Sequence, residues 1–344
     1  MPETISRLVH LVLIRPLVLL FSVAPLLWAT NGNAADKYAR DDRTELSVDL
    51  PTDAATSGTF SLRRYSDQPS QDDAQFDGSL KLDGSDYRSE SNETQPGKLT
   101  ARVGGDGSLQ VESSGFAVNK NQPIDFNGTY RKLSSAEALT RAQAREDEAD
   151  HWLNEIYSKL KASLPADRFS ILQADQRDWI SYRDYMAENI GAQEVHEEGP
   201  EQNAEILDQK RGLTLSRISF LNNTNAPHLP AGLTAVYDDG HGGVLQLDQH
   251  GDNLQFSISV VRGPTYHTGD IGGVAKRQKG GWFYREKPPY QGGDPAELTF
   301  TPLDDRRIKV AEKNTDAFHG ARAYFAATYF KEKALVGGIK EGDQ

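Results

Sequence analysis

Leu172-Gln173-Ala174-Asp175-Gln176-Arg177-Asp178-Trp179-Ile180-Ser181-Tyr182-Arg183-Asp184 is the stretch on which the fold turns. Gln176, Trp179, Arg183 and Met186 are spaced i, i+3, i+7 and i+10, so they share one stripe of an α-helix. A tryptophan on that stripe is expected to anchor a core. Arg183 on the same stripe needs a carboxylate or free helix carbonyls as partner. Asp175, Asp178 and Asp184 fall on other faces. They read as solvated positions or, alternatively, as an acidic face for a basic partner.

The helical texture extends both ways from this stretch. Upstream, Ser134-Ser135-Ala136-Glu137 has the form of a capping box, in which side chain and backbone of the two end residues bond reciprocally. Apolar or aromatic residues follow at 149, 152, 153, 156, 157, 160 and 164, which predicts a helix with one buried face. Pro165 marks its end. Phe169, Leu172, Trp179, Met186 and Ile190 form the second run, closed by a polar break at 191–200. Ile206, Leu207, Leu213, Leu215, Ile218 and Leu221 form a third, ending near Asn223. A three-helix domain over 134–223 is the expectation.

Leu153, Asn154 and Tyr157 in the first helix, with Gln176, Trp179, Tyr182, Arg183 and Asp184 in the second, resemble the helical domain of LprI-type lysozyme inhibitors. That pattern is Leu-Asn-x-x-Tyr, a break, then Gln-x-x-Trp-x-x-Tyr/Phe-Arg-Asp. The resemblance covers about residues 137–222. It implies an exported, non-enzymatic protein that blocks a lysozyme, and its motif residues are expected to be structural. Two departures stand out. Family members usually carry cysteines around these helices, whereas this chain has none. The helical domain here also lies between other domains instead of leading the chain. Lysozyme inhibitors of the β-barrel type use a Ser-Gly-x-x-Tyr signature; Ser114-Gly115-Phe116 comes nearest and lacks the tyrosine, so that site is not carried over.

On both sides the texture is that of short strands. Ser79-Leu80-Lys81-Leu82-Asp83 and Leu109-Gln110-Val111-Glu112 alternate with period two, separated by Asp77-Gly78, Asp83-Gly84 and Asp106-Gly107 turns. Residues 36–58 and 66–77 read as polar and loose. From 224 strands return, with Val244–Asp248 and Leu254–Val260. The expected fold class is α+β: two small antiparallel β-rich domains, 35–133 and 224–344, flanking the helices.

The two β segments read as copies of one another. Gly78–Asp83 matches Gly243–Asp248 at an offset of 165. At an offset of 199, Leu99 and Thr100 match Leu298 and Thr299. Leu109 and Val111 match Ile308 and Val310 at that offset. So do Phe126, Thr129, Tyr130 and Lys132 with Phe325, Thr328, Tyr329 and Lys331. The difference between the offsets predicts an extra hairpin near 262–295 in the second copy. Trp282, Tyr284, Arg285 and Tyr290 there are candidate binding residues for glycan or lipid. The competing reading is a hairpin whose aromatics pack on its own barrel.

The chain begins as a secretory leader does: Arg7 and Arg15, an apolar run Leu17–Trp28, then small residues ending at Gly32-Asn33-Ala34. Cleavage before Ala35 is expected, leaving a periplasmic or secreted protein with no second membrane segment. An uncleaved anchor would need about 20 apolar residues. The absence of cysteine excludes disulfides, thiolate catalysis and lipid attachment through a cysteine. Beyond residue 34, 36 Lys and Arg face 49 Asp and Glu, and seven of the excess negative charges fall in 134–223. That balance argues against nucleic acid and for cationic partners.

No His-Glu-x-x-His, Gly-x-Ser-x-Gly or P-loop is present, and His196-Glu197-Glu198 has no second ligand at useful spacing. Five of the eight histidines, His228, His241, His250, His267 and His319, lie far apart. No metal, cofactor or catalytic residue is expected. The leading function is a lysozyme-inhibitor-like envelope protein whose partner is a lysozyme or another cationic protein. The alternative is a non-inhibitory module for glycan, lipid or another envelope protein.

Overall fold

The computed structural model describes residues 35–49, 57–69, 71, 73–89, 97–119, 122–195, 198–287 and 293–339. The expected leader at 1–34, His196, Glu197 and Tyr290 lie outside the described residues. Three helices sit between two eight-stranded antiparallel barrels.

The first barrel contains β1 (Asp36–Asp41), β2 (Thr44–Asp49), β3 (Ser57–Arg64), β4 (Ala74–Asp83), β5 (Asp86–Ser89), β6 (Lys98–Val103) and β7 (Leu109–Ser114). A small ribbon, β8 (Ala117–Asn119) and β9 (Gln122–Pro123), precedes the closing strand β10 (Gly128–Lys132), which pairs with β7 and β1. Closure leaves no unpaired sheet edge. Segments 36–58 and 66–77, expected to be loose, supply four of these strands. Their inward positions Tyr38, Leu46, Val48, Phe60 and Leu62 are buried. Lys37, Glu45 and Arg63 on the outer positions hid the alternation. Phe116, next to Ser114-Gly115, is buried against Phe76 and Phe126.

The second barrel runs β11 (Ala235–Asp238), β12 (Gly243–His250), β13 (Asn253–Arg262), β14 (His267–Gln278), β15 (Gly281–Glu286), β16 (Ala296–Pro302), β17 (Arg307–Lys313) and β18 (Ala327–Lys333), and β18 closes on β11. Both barrels are simple meanders, so strands correspond by rank. The pairs at an offset of 199 fall on equivalent strands: β6 with β16, β7 with β17, β10 with β18. The match at 165 does not, because Gly78–Asp83 lies in the fourth strand and Gly243–Asp248 in the second. Leu-x-Leu-Asp recurs wherever a strand buries one face, so that match was a shared pattern at unlike positions. The extra hairpin near 262–295 falls with it. β14 and β15 are two of the eight staves, the counterparts of β4 and β5.

Between the barrels lie α1 (Ser135–Ser163), α2 (Ala166–Glu194) and α3 (Pro200–Thr224). The capping box forms as expected: the Ser134 amide donates to Glu137 Oε2 at 2.9 Å and the Glu137 amide to Ser134 Oγ at 3.3 Å. α2 runs through Gly191, where a break was expected. A Cβ there would stand 2.5 Å from Ile206 Cγ1, so this glycine serves close packing of α2 on α3. Leu153, Leu172, Trp179, Leu215, Ile218, Phe220 and Leu221 form the core they share.

The two seams between helices and barrels differ in kind. Against the first barrel the helices offer charge. Arg141 and Arg145 of α1 bond Glu45 at 2.6 and 2.7 Å, and Arg43 forks onto Glu148 at 2.6 and 2.7 Å. Arg211 of α3, wholly buried, holds Asp73 at 2.9 Å and the Ser66 carbonyl at 2.9 Å. Against the second barrel they offer mainly rings, alongside an exposed Arg168–Asp305 pair at 2.9 Å. Phe220 meets Phe330 edge-on at 5.5 Å, and Tyr182 meets His241 at 4.8 Å while donating its hydroxyl to the His241 carbonyl at 3.2 Å. Among the described residues no helix is long and apolar enough to cross a membrane.

Candidate functional site

α1 and α2 are consecutive and antiparallel, joined only by Leu164 and Pro165. Each packs mainly on α3. Their facing sides therefore stand apart and enclose a groove of about 260 Å³. It is lined by Asp150, Leu153, Asn154 and Tyr157 from α1 and by Gln173, Gln176, Arg177, Ile180 and Arg183 from α2. Five motif residues, Leu153, Asn154, Tyr157, Gln176 and Arg183, thus converge on one place.

Their roles divide. Trp179, 2% exposed, sits beneath the groove with the Arg183 and Arg217 guanidinium carbons 5.5 and 5.4 Å from its ring centroid. Such stacking favours the cation in a desolvated place. Arg183 Nη1 reaches across to Asp150 Oδ1 at 2.7 Å and to Thr214 Oγ1 at 3.3 Å, and its Nε contacts Asp184 at 3.2 Å. Gln176 Oε1 accepts from Arg217 Nε at 2.9 Å. Asp184 also pairs with Lys210 at 3.2 Å. Leu153 is buried in the helical core, and Tyr182 ties α2 to the second barrel. These six residues hold the scaffold together.

Asn154 and the Tyr157 hydroxyl do not. Neither makes a hydrogen bond to another described residue, and the same holds for the Gln173 and Arg177 side chains. The Tyr157 ring packs on Phe169 at 5.3 Å, and burial pushes its hydroxyl pKa up. Burial, helped by neighbouring Asp150, also pushes the Glu146 carboxyl up; Arg183 opposes it.

The outer face of α2 carries a second feature. Asp178, Ser181, Tyr185 and Glu188 form one exposed stripe, with Tyr185 49% exposed. Of the aspartates expected to be solvated, Asp175 bonds Arg217 and Asp184 bonds Arg183 and Lys210. Asp178 and Glu188 have no ion-pair partner among the described residues.

The candidate residues of the second barrel are scattered. Trp282 is 4% exposed inside the barrel core, with Arg277 4.6 Å over its ring. It is not on a presented loop, because the pleat of β15 turns it inward. Tyr284 packs edge-on against Phe256 at 4.8 Å and donates to the Gly272 carbonyl at 3.2 Å. Arg285 is exposed beside Glu297 at 3.6 Å. No group of three or more histidines and carboxylates is placed to hold a metal among the described residues.

Sequence reading missed Asp150, Gln173, Arg177 and Ile180 in the groove, the buried Arg217 beside it and the buried Arg211 at the first-barrel seam. A signal existed for the arginines: Arg211 continues the apolar stripe Leu207, Leu215 and Ile218 of α3.

No curated protein and no solved structure matches the chain. The family model described as Lysozyme inhibitor LprI matches residues 129–221, and it is the three-helix region, with the groove and the outer stripe of α2, that carries this similarity.

Proposed function

We propose that this is an exported, non-enzymatic protein that blocks a cationic lysozyme by protein–protein contact through its helical domain. The outer stripe of α2 carries the reading. Asp178 and Glu188, without an ion-pair partner among the described residues, flank a half-exposed Tyr185, an aromatic anchor with an acidic rim. The family match at 129–221 and the acidic excess of the helical segment support it. Export rests on the leader and on the character of the family. A turbidity assay of cell-wall lysis by a cationic lysozyme tests the proposal. Inhibition by the parent chain is expected, with loss in an Asp178→Lys, Glu188→Lys double variant that melts like the parent. Undiminished lysis at excess parent protein, at low and moderate salt, rejects the reading.

A further inference from the structure

We infer that the groove between α1 and α2 is a binding site for one N-acetylated amino-sugar unit of a glycan chain. The inference is separate from enzyme blocking, which was placed on the adjoining outer stripe of α2. Asn154 and the Tyr157 hydroxyl stand on the α1 wall, with Gln173 and Arg177, one helical turn apart, on the α2 wall. All four lack a hydrogen-bond partner among the described residues. Asp150 Oδ1 accepts from Arg183, and its Oδ2 has no hydrogen bond among the described residues. Between the walls lies an apolar strip of Leu153, the Tyr157 ring and Ile180, the last 41% exposed.

The chemistry of this lining selects its occupant. A purely apolar ligand would strip water from two carboxamides, a phenol, a guanidinium and a carboxylate oxygen without repaying them. A cationic ligand meets Arg177 at the wall and finds Asp150 already paired with Arg183. A phosphate meets one uncommitted cation and a carboxylate. A pyranose suits every element. Its C–H faces lie on Leu153, Ile180 and the Tyr157 ring, and its hydroxyls both donate and accept. An acetamido group matches the planar donor–acceptor pairs of Asn154 and Gln173. Arg177 further admits a sugar bearing one carboxylate. A groove of about 260 Å³ has room for one such ring.

Titration of the full exported chain with tri-N-acetylchitotriose, followed by NMR of the side-chain amides, tests this. The Asn154 and Gln173 amide signals should shift at millimolar sugar, and maltotriose, which lacks acetamido groups, should leave them in place. An Asn154→Ala, Gln173→Ala, Arg177→Ala variant changes only exposed side chains and should keep the parent melting temperature. It should bind at least about tenfold more weakly, the worth of one or two hydrogen bonds. No shift at millimolar sugar, an equal response to maltotriose, or unchanged affinity in the variant overturns the inference. So does a variant that loses lysozyme blocking when no sugar binds the parent, because the groove is then a protein contact. Sugar binding without any lysozyme inhibition would sink the proposed function and leave this site standing.

Discussion

Tyr130 and Tyr329 do the same thing in two different barrels: each donates its buried hydroxyl to the carbonyl four residues upstream, Phe126 and Phe325, at 3.0 Å. Each ties the closing strand to the segment entering it. Tyr130→Phe and Tyr329→Phe should each cost about 1 kcal/mol, the net worth of one buried hydrogen bond. Denaturant titration checks this, and equal losses are expected because the geometry is equal.

Trp179→Ala should cost about 3–5 kcal/mol, since a large buried side chain is replaced by a void. The loss also strips Arg183 and Arg217 of the ring beside them. Calorimetry should show it as a lowered melting temperature. A cost below about 1 kcal/mol would contradict the burial of this residue.

Asp239 and Arg262 form an ion pair with both side chains almost wholly buried. Asp239 also accepts from the His241 and Gly243 amides at 2.8 Å each. Asp239→Ala strands a buried cation and two amides, and should cost about 3–5 kcal/mol. Thermal unfolding followed by circular dichroism reads it.

Asp238, next in the chain, is pushed up to about 7, first by burial and then by Asp239. A raised carboxyl favours the protonated form in the folded state. Its contribution is therefore complete below about pH 4, the unfolded value, and is lost as pH rises to about 7. Asp238→Asn should remove that loss, giving about 1–2 kcal/mol more stability than the parent at pH 8 relative to pH 4. Partial contact of the side chain with solvent keeps the effect below the full linkage. Urea unfolding of both proteins across pH 4–8 is the measurement.

Charge on the α2 stripe should show in the kinetics of the proposed complex. Exposed charges are screened within about 10 Å at 0.1 M salt. Association with a cationic lysozyme should therefore slow as salt rises, with little change in dissociation. Surface plasmon resonance at several salt concentrations tests this, and a salt-independent on-rate removes Asp178 and Glu188 from the contact.

Much of the architecture was legible because helix stripes and caps are local. Ser134 with Glu137 marked the start of α1, and Gln176, Trp179, Arg183 and Met186 marked the buried face of α2. The early strands of the first barrel were hidden because Lys37, Glu45 and Arg63 on their outer face outweighed Tyr38, Leu46 and Val48 on the inner one. Tyr38 and Tyr237, 199 residues apart on the first strands of the two barrels, went unread for that reason. The groove could not be read at all. It exists because α1 and α2 both lean on α3, and that is decided by contacts between residues such as Asp150 and Arg183, 33 positions apart.

The unlike seams give the chain two separate weaknesses. The junction with the first barrel is fastened by guanidinium–carboxylate forks at Glu45, Glu148 and Asp73. Its outer members, Arg43 and Glu148, remain within reach of counterions. The junction with the second barrel rests mainly on ring contacts at Phe330 and His241, which weaken on cooling, with the exposed Arg168–Asp305 pair at 2.9 Å beside them. Brine should act chiefly on the first junction and cold chiefly on the second, so a protease offered each condition in turn would open the same chain at different junctions.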